Sequence, residues 1–138
     1  MTPKIRSELI SEVRSRAGWR CEYCHAPQII IGQTFHVDHI VPRSAGGRTE
    51  DANLCLACSH CNIAKADRCF GADSRSGDRV RLFNPRADNW EAHFRWSRNW
   101  RTLVGRTPAG RATVAALDMN ATLLKRARPF WRIAGLIP

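Results

Sequence analysis

A chain of 138 residues that is 43% hydrophobic and 25% charged has globular composition, which excludes a fibrous repeat or a wholly disordered tail. Lys plus Arg number 22 against 12 Asp plus Glu, a formal charge of +10, and no apolar run approaches the roughly 20 residues that cross a bilayer, so no membrane partner is expected. So short a chain buries a small core, which makes a metal staple or disulfides unsurprising.

Ile5, Leu9, Val13 and Ala17 recur every four residues among Arg and Glu, and this spacing predicts a scaffold helix over residues 4–17, stopped by Gly18. Cys21-Glu-Tyr-Cys24 is a tight knuckle, and residues 27–32 read as a connection. Residues 34–41 alternate and are β-branched, the pattern of a strand. Residues 42–47 end in paired glycines and must be a loop. Residues 51–57 are short and apolar, with a second strand as one reading. Residues 59–68 predict a short helix with Ser59 as its cap. Gly, Ser, Asp and Arg over 71–77 mark a loop or hinge. Short strands are expected at 80–83 and 94–96, around an Asn84-Pro85 turn. Thr107-Pro108 opens a helix running to about Met119. Asn120 caps a last helix through about Ile133, bent or restarted at Pro129.

Six cysteines stand at 21, 24, 55, 58, 61 and 69. The start of the chain lacks the apolar stretch of a secretory signal, so a cytoplasmic, reducing setting is expected, and disulfides lose ground there. A single thioredoxin-like redox pair would not explain two C-x-x-C knuckles. Cys21/Cys24 and Cys58/Cys61 instead have the spacing of a four-thiolate structural zinc site. Cys55-x-x-Cys58 fits the same spacing, so the second pair is not unique. Cys55 and Cys69 read as small core residues.

The 33 residues between the knuckles carry His36-Val-Asp38-His39, then Gly46-Gly47 and Asn53, with Asn62 just after the last knuckle. Neighbours on a strand leave on opposite faces, so one of Asp38 and His39 can grip a metal while the other faces a substrate. Asn62 can return a second oxygen ligand from the following helix, and a carboxylate with an amide oxygen suits a hard cation such as Mg²⁺. His36 shares a face with Asp38 by parity. It is read as an auxiliary group or as sheet packing. His25 is read as a knuckle residue without catalytic work.

Cys21-Glu-Tyr-Cys24, Val37-Asp-His-Ile-Val-Pro, Gly46-Gly47, Asn53-Leu54 and Cys58-Ser-His-Cys-Asn62 with Lys65 together resemble the HNH endonuclease family. The likeness covers residues 21–68, about a third of the chain. It implies an α+β fold: a ββα-metal core of two strands crossed by a helix, braced by a four-cysteine zinc site. An N-terminal helix (1–20) would precede that core (21–70), with a mainly helical extension (71–138) following in one domain. By the resemblance His39 is the general base, Asn53 holds the His39 loop and ring, and Asp38 and Asn62 bind the catalytic Mg²⁺ or Mn²⁺. The family's last motif residue is often His, and Asn62 stands there; His60 is a rival ranked below it because it sits between zinc ligands. The implied reaction is hydrolysis of DNA phosphodiester bonds, leaving 5′-phosphate and 3′-hydroxyl ends.

Arg supplies 19 of the 22 cations. Guanidinium forks take phosphate oxygens two at a time, so the excess fits nucleic acid, with Arg codon bias as the plainer explanation. Arg43, Arg48, Lys65 and Arg68 flank the candidate site as phosphate contacts to double-stranded DNA. In the C-terminal half, Trp90, Trp96, Trp100, Trp131 and His93 read first as packing residues, with a base-stacking platform second. Lys125, Arg126, Arg128 and Arg132 make a basic face on the last helix. The other readings are a non-catalytic zinc module that binds nucleic acid and a nuclease directed at RNA. The chain is expected to act as a monomer or homodimer without a small-molecule cofactor.

Overall fold

The computed structural model describes residues 5–136; Lys4, the first residue of the expected N-terminal helix, lies outside them. Helix α1 (Ser7–Arg16) buries Leu9 and Val13, one turn apart on one face. A one-turn helix α2 (Gln28–Ile31) occupies what reads in sequence as a plain connection. Gly32 closes it in the left-handed region at φ 72°.

Strand β1 (His36–His39) pairs antiparallel with β2 (Leu54–Ala57), setting His36 against Ala57, Asp38 against Cys55 and His39 against Leu54. Both expected strands exist but are shorter, because Asp51–Asn53 turn as a 3₁₀ segment before β2 begins. Helix α3 (Ser59–Lys65) follows at once. Its cap is Cys58 rather than Ser59: the Cys58 sulfur accepts the Cys61 backbone N–H. The helix stops three residues early because Ala66 leaves it at φ 51°.

The extension is less helical than expected. Strands β3 (Phe70–Ala72) and β4 (Arg79–Arg81) form a hairpin around the Gly- and Ser-rich turn, where the sequence suggests a loop and then a strand at 80–83. A third hairpin joins β5 (Phe94–Trp96), which follows the one-turn helix α4 (Trp90–His93), to β6 (Leu103–Gly105). Thr107 caps α5 (Pro108–Ala116) by accepting the Gly110 N–H, with proline at the first helical position.

The last helix, α6 (Thr122–Ile133), contains Pro129 and runs on past it without a restart. Asn120 does not cap it. Its side chain bridges the Leu103 backbone through both N–H and C=O, each at 2.8 Å. The mixed α+β class is as expected, built from three separate two-stranded hairpins.

One apolar core joins the knuckles, hairpin β1–β2 and the extension. Trp90 donates from its indole N–H to the Tyr23 carbonyl at 2.8 Å, and the His25 ring stacks on it at 3.9 Å. Trp90, Trp96 and Trp100 then follow one another with ring centroids 6.2 Å apart, and Trp131 is fully buried. These indoles are packing residues, as the first reading has them. His93 is one also: its Nδ1 lies 2.6 Å from the Thr107 hydroxyl.

Arg128 is a correction. It is 0% exposed, so it cannot belong to a basic face. Its guanidinium donates to the carbonyls of Arg101 and Met119 and to Asn120 Oδ1, and it lies over Trp96 and Trp131. Lys125, Arg126 and Arg132 stay exposed.

Candidate active site and metal centre

Four buried sulfurs converge beneath the hairpin. The ligand atoms of Cys21, Cys24, Cys58 and Cys61 all lie within 4.8 Å of one another, the one such cluster among the described residues. Cys24 and Cys58 sulfurs are 3.7 Å apart. A tetrahedron with Zn–S bonds of about 2.3 Å has edges of about 3.8 Å, so the donor set and its size both fit zinc. Cys58 belongs with Cys61, since Cys55 points into the core beside Tyr23 and is raised as an acid by burial. Hydrogen bonds from Cys21, then Cys24 and Cys61, pull the Cys58 thiol far down, while Cys24 and Cys61 are pushed up.

Next to this brace, α3 lies against one face of β1. His36 Nε2 meets the Ser59 hydroxyl at 3.2 Å, and Asp38 Oδ2 meets the Lys65 ammonium at 3.3 Å. The Asp38 carboxyl is nevertheless raised, because burial outweighs the attraction of Lys65. Asn62 sits one turn before Lys65 on the same face of α3 and is half-buried, with no side-chain hydrogen bond among the described residues. The helix that brings Lys65 to the Asp38 carboxylate thus also carries an amide oxygen one turn away, and a carboxylate with an amide oxygen is a donor set that suits a hard cation.

His39 leaves the strand in the other direction. Its Nε2 lies 2.8 Å from the Thr49 hydroxyl, to which Arg43 also donates at 3.1 Å. Burial lowers its pKa, Asp38 opposes that, and Arg43 and Lys65 reinforce it, so the imidazole is neutral at pH 7.

The loop between His39 and Thr49 is pinned by Asn53. Its carboxamide accepts the Val41 N–H and donates to the carbonyls of Val41 and Arg48, all at 2.9 Å. Asn53 thus ties the two ends of the loop together, while the ring itself is held by Thr49. Gly47 permits the closure: a Cβ there would stand 1.7 Å from the Val41 carbonyl oxygen.

Three other expected residues sit differently from the sequence reading. Lys65 is 2% exposed, donates to the His39 carbonyl at 3.2 Å and pairs with Asp38, so its ammonium is withdrawn from any phosphate at the surface. The Arg68 guanidinium is engaged with the carbonyls of Ala64 and Ala116, tying α3 to α5. His60 turns away from the hairpin to the Asp118 carbonyl at 2.8 Å. Arg43 and Arg48 are exposed beside the loop. Thr49 was missed in the sequence; a single hydroxyl in a polar loop carries no signal until the loop closes on the ring.

The HNH endonuclease family model matches residues 21–68, the stretch holding both knuckles, the β1–β2 hairpin and α3. No curated protein and no solved structure matches the chain. The match identifies this stretch as an HNH segment and implies a nuclease-type function acting on nucleic acid and using a divalent metal.

Proposed function

We propose, from the HNH endonuclease match over residues 21–68, that the protein cleaves DNA with His39 as general base. The observation that carries this is the division of β1 at Asp38 and His39. The carboxylate turns to Lys65 on α3, the helix that also carries Asn62, and the neutral imidazole turns to a loop closed by Asn53. The four cysteines would hold structural zinc, which would fix the start of α3, the helix that carries Asn62.

His39 takes a proton from a water molecule; with Nε2 held by Thr49, Nδ1 is the free nitrogen for this. The water oxygen then bonds to phosphorus, the bond from phosphorus to the 3′ oxygen breaks, and that oxygen takes a proton from solvent water, so a 5′ phosphate and a 3′ hydroxyl result and His39 returns its proton to solvent. Asp38 and Asn62 would hold one Mg²⁺ or Mn²⁺, which when bound polarises the phosphate and stabilises the leaving oxygen. Arg43 and Arg48, exposed at the loop, contact the phosphate backbone without reading bases.

The test is supercoiled plasmid with Mg²⁺ or Mn²⁺, wild type beside His39→Ala. Nicking or linearisation by the wild type, lost in the variant while binding persists, is expected. Equal cleavage by both would overturn the assignment of the base. Binding without cleavage by either would leave a nucleic-acid-binding zinc module, and cleavage of RNA alone would replace the substrate.

A further inference from the structure

The β3–β4 hairpin stands just past the HNH segment and has two unlike faces. Its register sets Phe70 against Arg81, Gly71 against Val80 and Ala72 against Arg79. Side chains alternate, so Phe70, Arg81 and Arg79 share one face, with Gly71 and Val80 on the other. The Gly71 face is pressed on α5: a Cβ there would lie 3.1 Å from Leu82 Cδ2 and 3.5 Å from the Ala112 carbonyl.

The opposite face is open. Arg79 and Arg81 are both exposed, and neither is in an ion pair among the described residues. Their guanidinium carbons lie 4.0 and 5.0 Å from the centroid of the half-buried Phe70 ring. Two like charges racked on one ring repel each other, and the ring offsets only part of that repulsion. What it does supply is order, since both forks are held against one surface with donor edges left outward.

This face reaches the chain that follows His39. One groove passes from Ala45, in the loop after His39, by Arg68 to Phe70 and Arg79. A second, a small pocket of about 20 Å³, lies between Ile40 and Val41 and Arg81. Asp67 is the one carboxylate lining the first groove, and the second has none.

We propose that the Phe70–Arg79–Arg81 face is a docking site for the phosphate backbone of duplex DNA, holding the strand that leads to His39. The occupant is phosphate rather than an unpaired base, because the guanidinium groups already cover the ring. This site rests on the endonuclease reading and extends its substrate contacts beyond residue 68. Each Arg that neutralises a phosphate releases a counterion, so each adds about 0.9 to the slope of log affinity against log salt.

The experiment uses a fluorescein-labelled duplex of about two helical turns and the full chain carrying His39→Ala, which prevents cleavage during titration. Adding Arg79→Ala and Arg81→Ala is expected to weaken binding about tenfold at about 0.1 M salt and to lower the slope by about 2. Arg79→Lys with Arg81→Lys should keep the slope, because the charges remain, while Arg98→Ala, in the turn of the third hairpin, should change neither quantity. Zinc content and circular dichroism establish that each variant is folded. If the double alanine variant binds as tightly and as steeply as its parent while wild type cleaves DNA, the docking site is overturned and the endonuclease reading survives. If the parent does not bind duplex DNA and wild type does not cleave it, both are overturned.

Discussion

Nε2 of His39 lies 2.8 Å from the hydroxyl of Thr49, and Arg43 donates to that same oxygen. The ring is therefore oriented by a residue ten positions further along the chain, brought back by the loop that Asn53 closes. In the proposed reaction Thr49 positions the imidazole.

Thr49→Val keeps the shape of the side chain and removes the hydroxyl. One lost hydrogen bond is worth about 1 kcal/mol, so kcat should fall about fivefold with KM little changed. Thr49→Ser should restore most of the rate. Steady-state cleavage of a short duplex checks this; a pure KM effect would show that Thr49 serves binding instead.

Asn53→Ala would leave the Val41 N–H and the Val41 and Arg48 carbonyls without their partner. The expected cost is about 1–3 kcal/mol in global stability, with faster amide exchange across residues 41–48. Gly47→Ala should open the same loop by a different route, through collision with the Val41 carbonyl oxygen. Hydrogen exchange by mass spectrometry reads both.

Cys24→Ser removes one of four converging sulfurs and should abolish stoichiometric zinc, with a large fall in Tm. Cys55→Ser and Cys69→Ser lie outside the cluster and should keep the metal. Zinc measured by mass spectrometry in the purified variants decides; full zinc in Cys24→Ser would reject the site.

Asp73 is buried in the turn of the second hairpin and gripped by Arg111 at 2.7 and 3.1 Å. Arg111 first, then the Arg75 N–H, hold its carboxyl well below the usual range. A depressed folded-state pKa stabilises the protein above the unfolded value of about 3.9 and is lost as pH falls below it. Wild type should therefore exceed Asp73→Asn in Tm at pH 7, and the gap should narrow from about pH 4.5 downward. A gap that does not vary with pH would show that packing, not charge, is at stake.

Arg128 satisfies three oxygens from one buried guanidinium. Burial lowers its pKa, while Cys24, Cys61 and Cys58 nearby raise it. Arg128→Lys offers a point charge in place of a planar fork and should cost about 2 kcal/mol or more, by denaturant titration. A neutral outcome would mean that water replaces the missing donors.

Much of the site is legible before any folding. C-x-x-C knuckles bind by local geometry, so their spacing marks two thiolate pairs, with only the choice between Cys55/Cys58 and Cys58/Cys61 left to the structure, and Asp38 next to His39 must leave a strand on opposite faces. The β3 and β6 strands were not legible. At three residues each, with glycine in both, they hold their shape by pairing with partners rather than by their own propensity.

By itself the sequence determined the donor types, their spacing and the HNH likeness, because these depend on residue identity within a few positions. Tertiary structure decided which charges are free. Lys65 and Arg128 look in one dimension like surface cations, yet one pairs with Asp38 and the other fills the core. Arg79 and Arg81 look ordinary in one dimension and end on an open face. Burial and pairing depend on what distant segments bring into contact, and no local pattern encodes that.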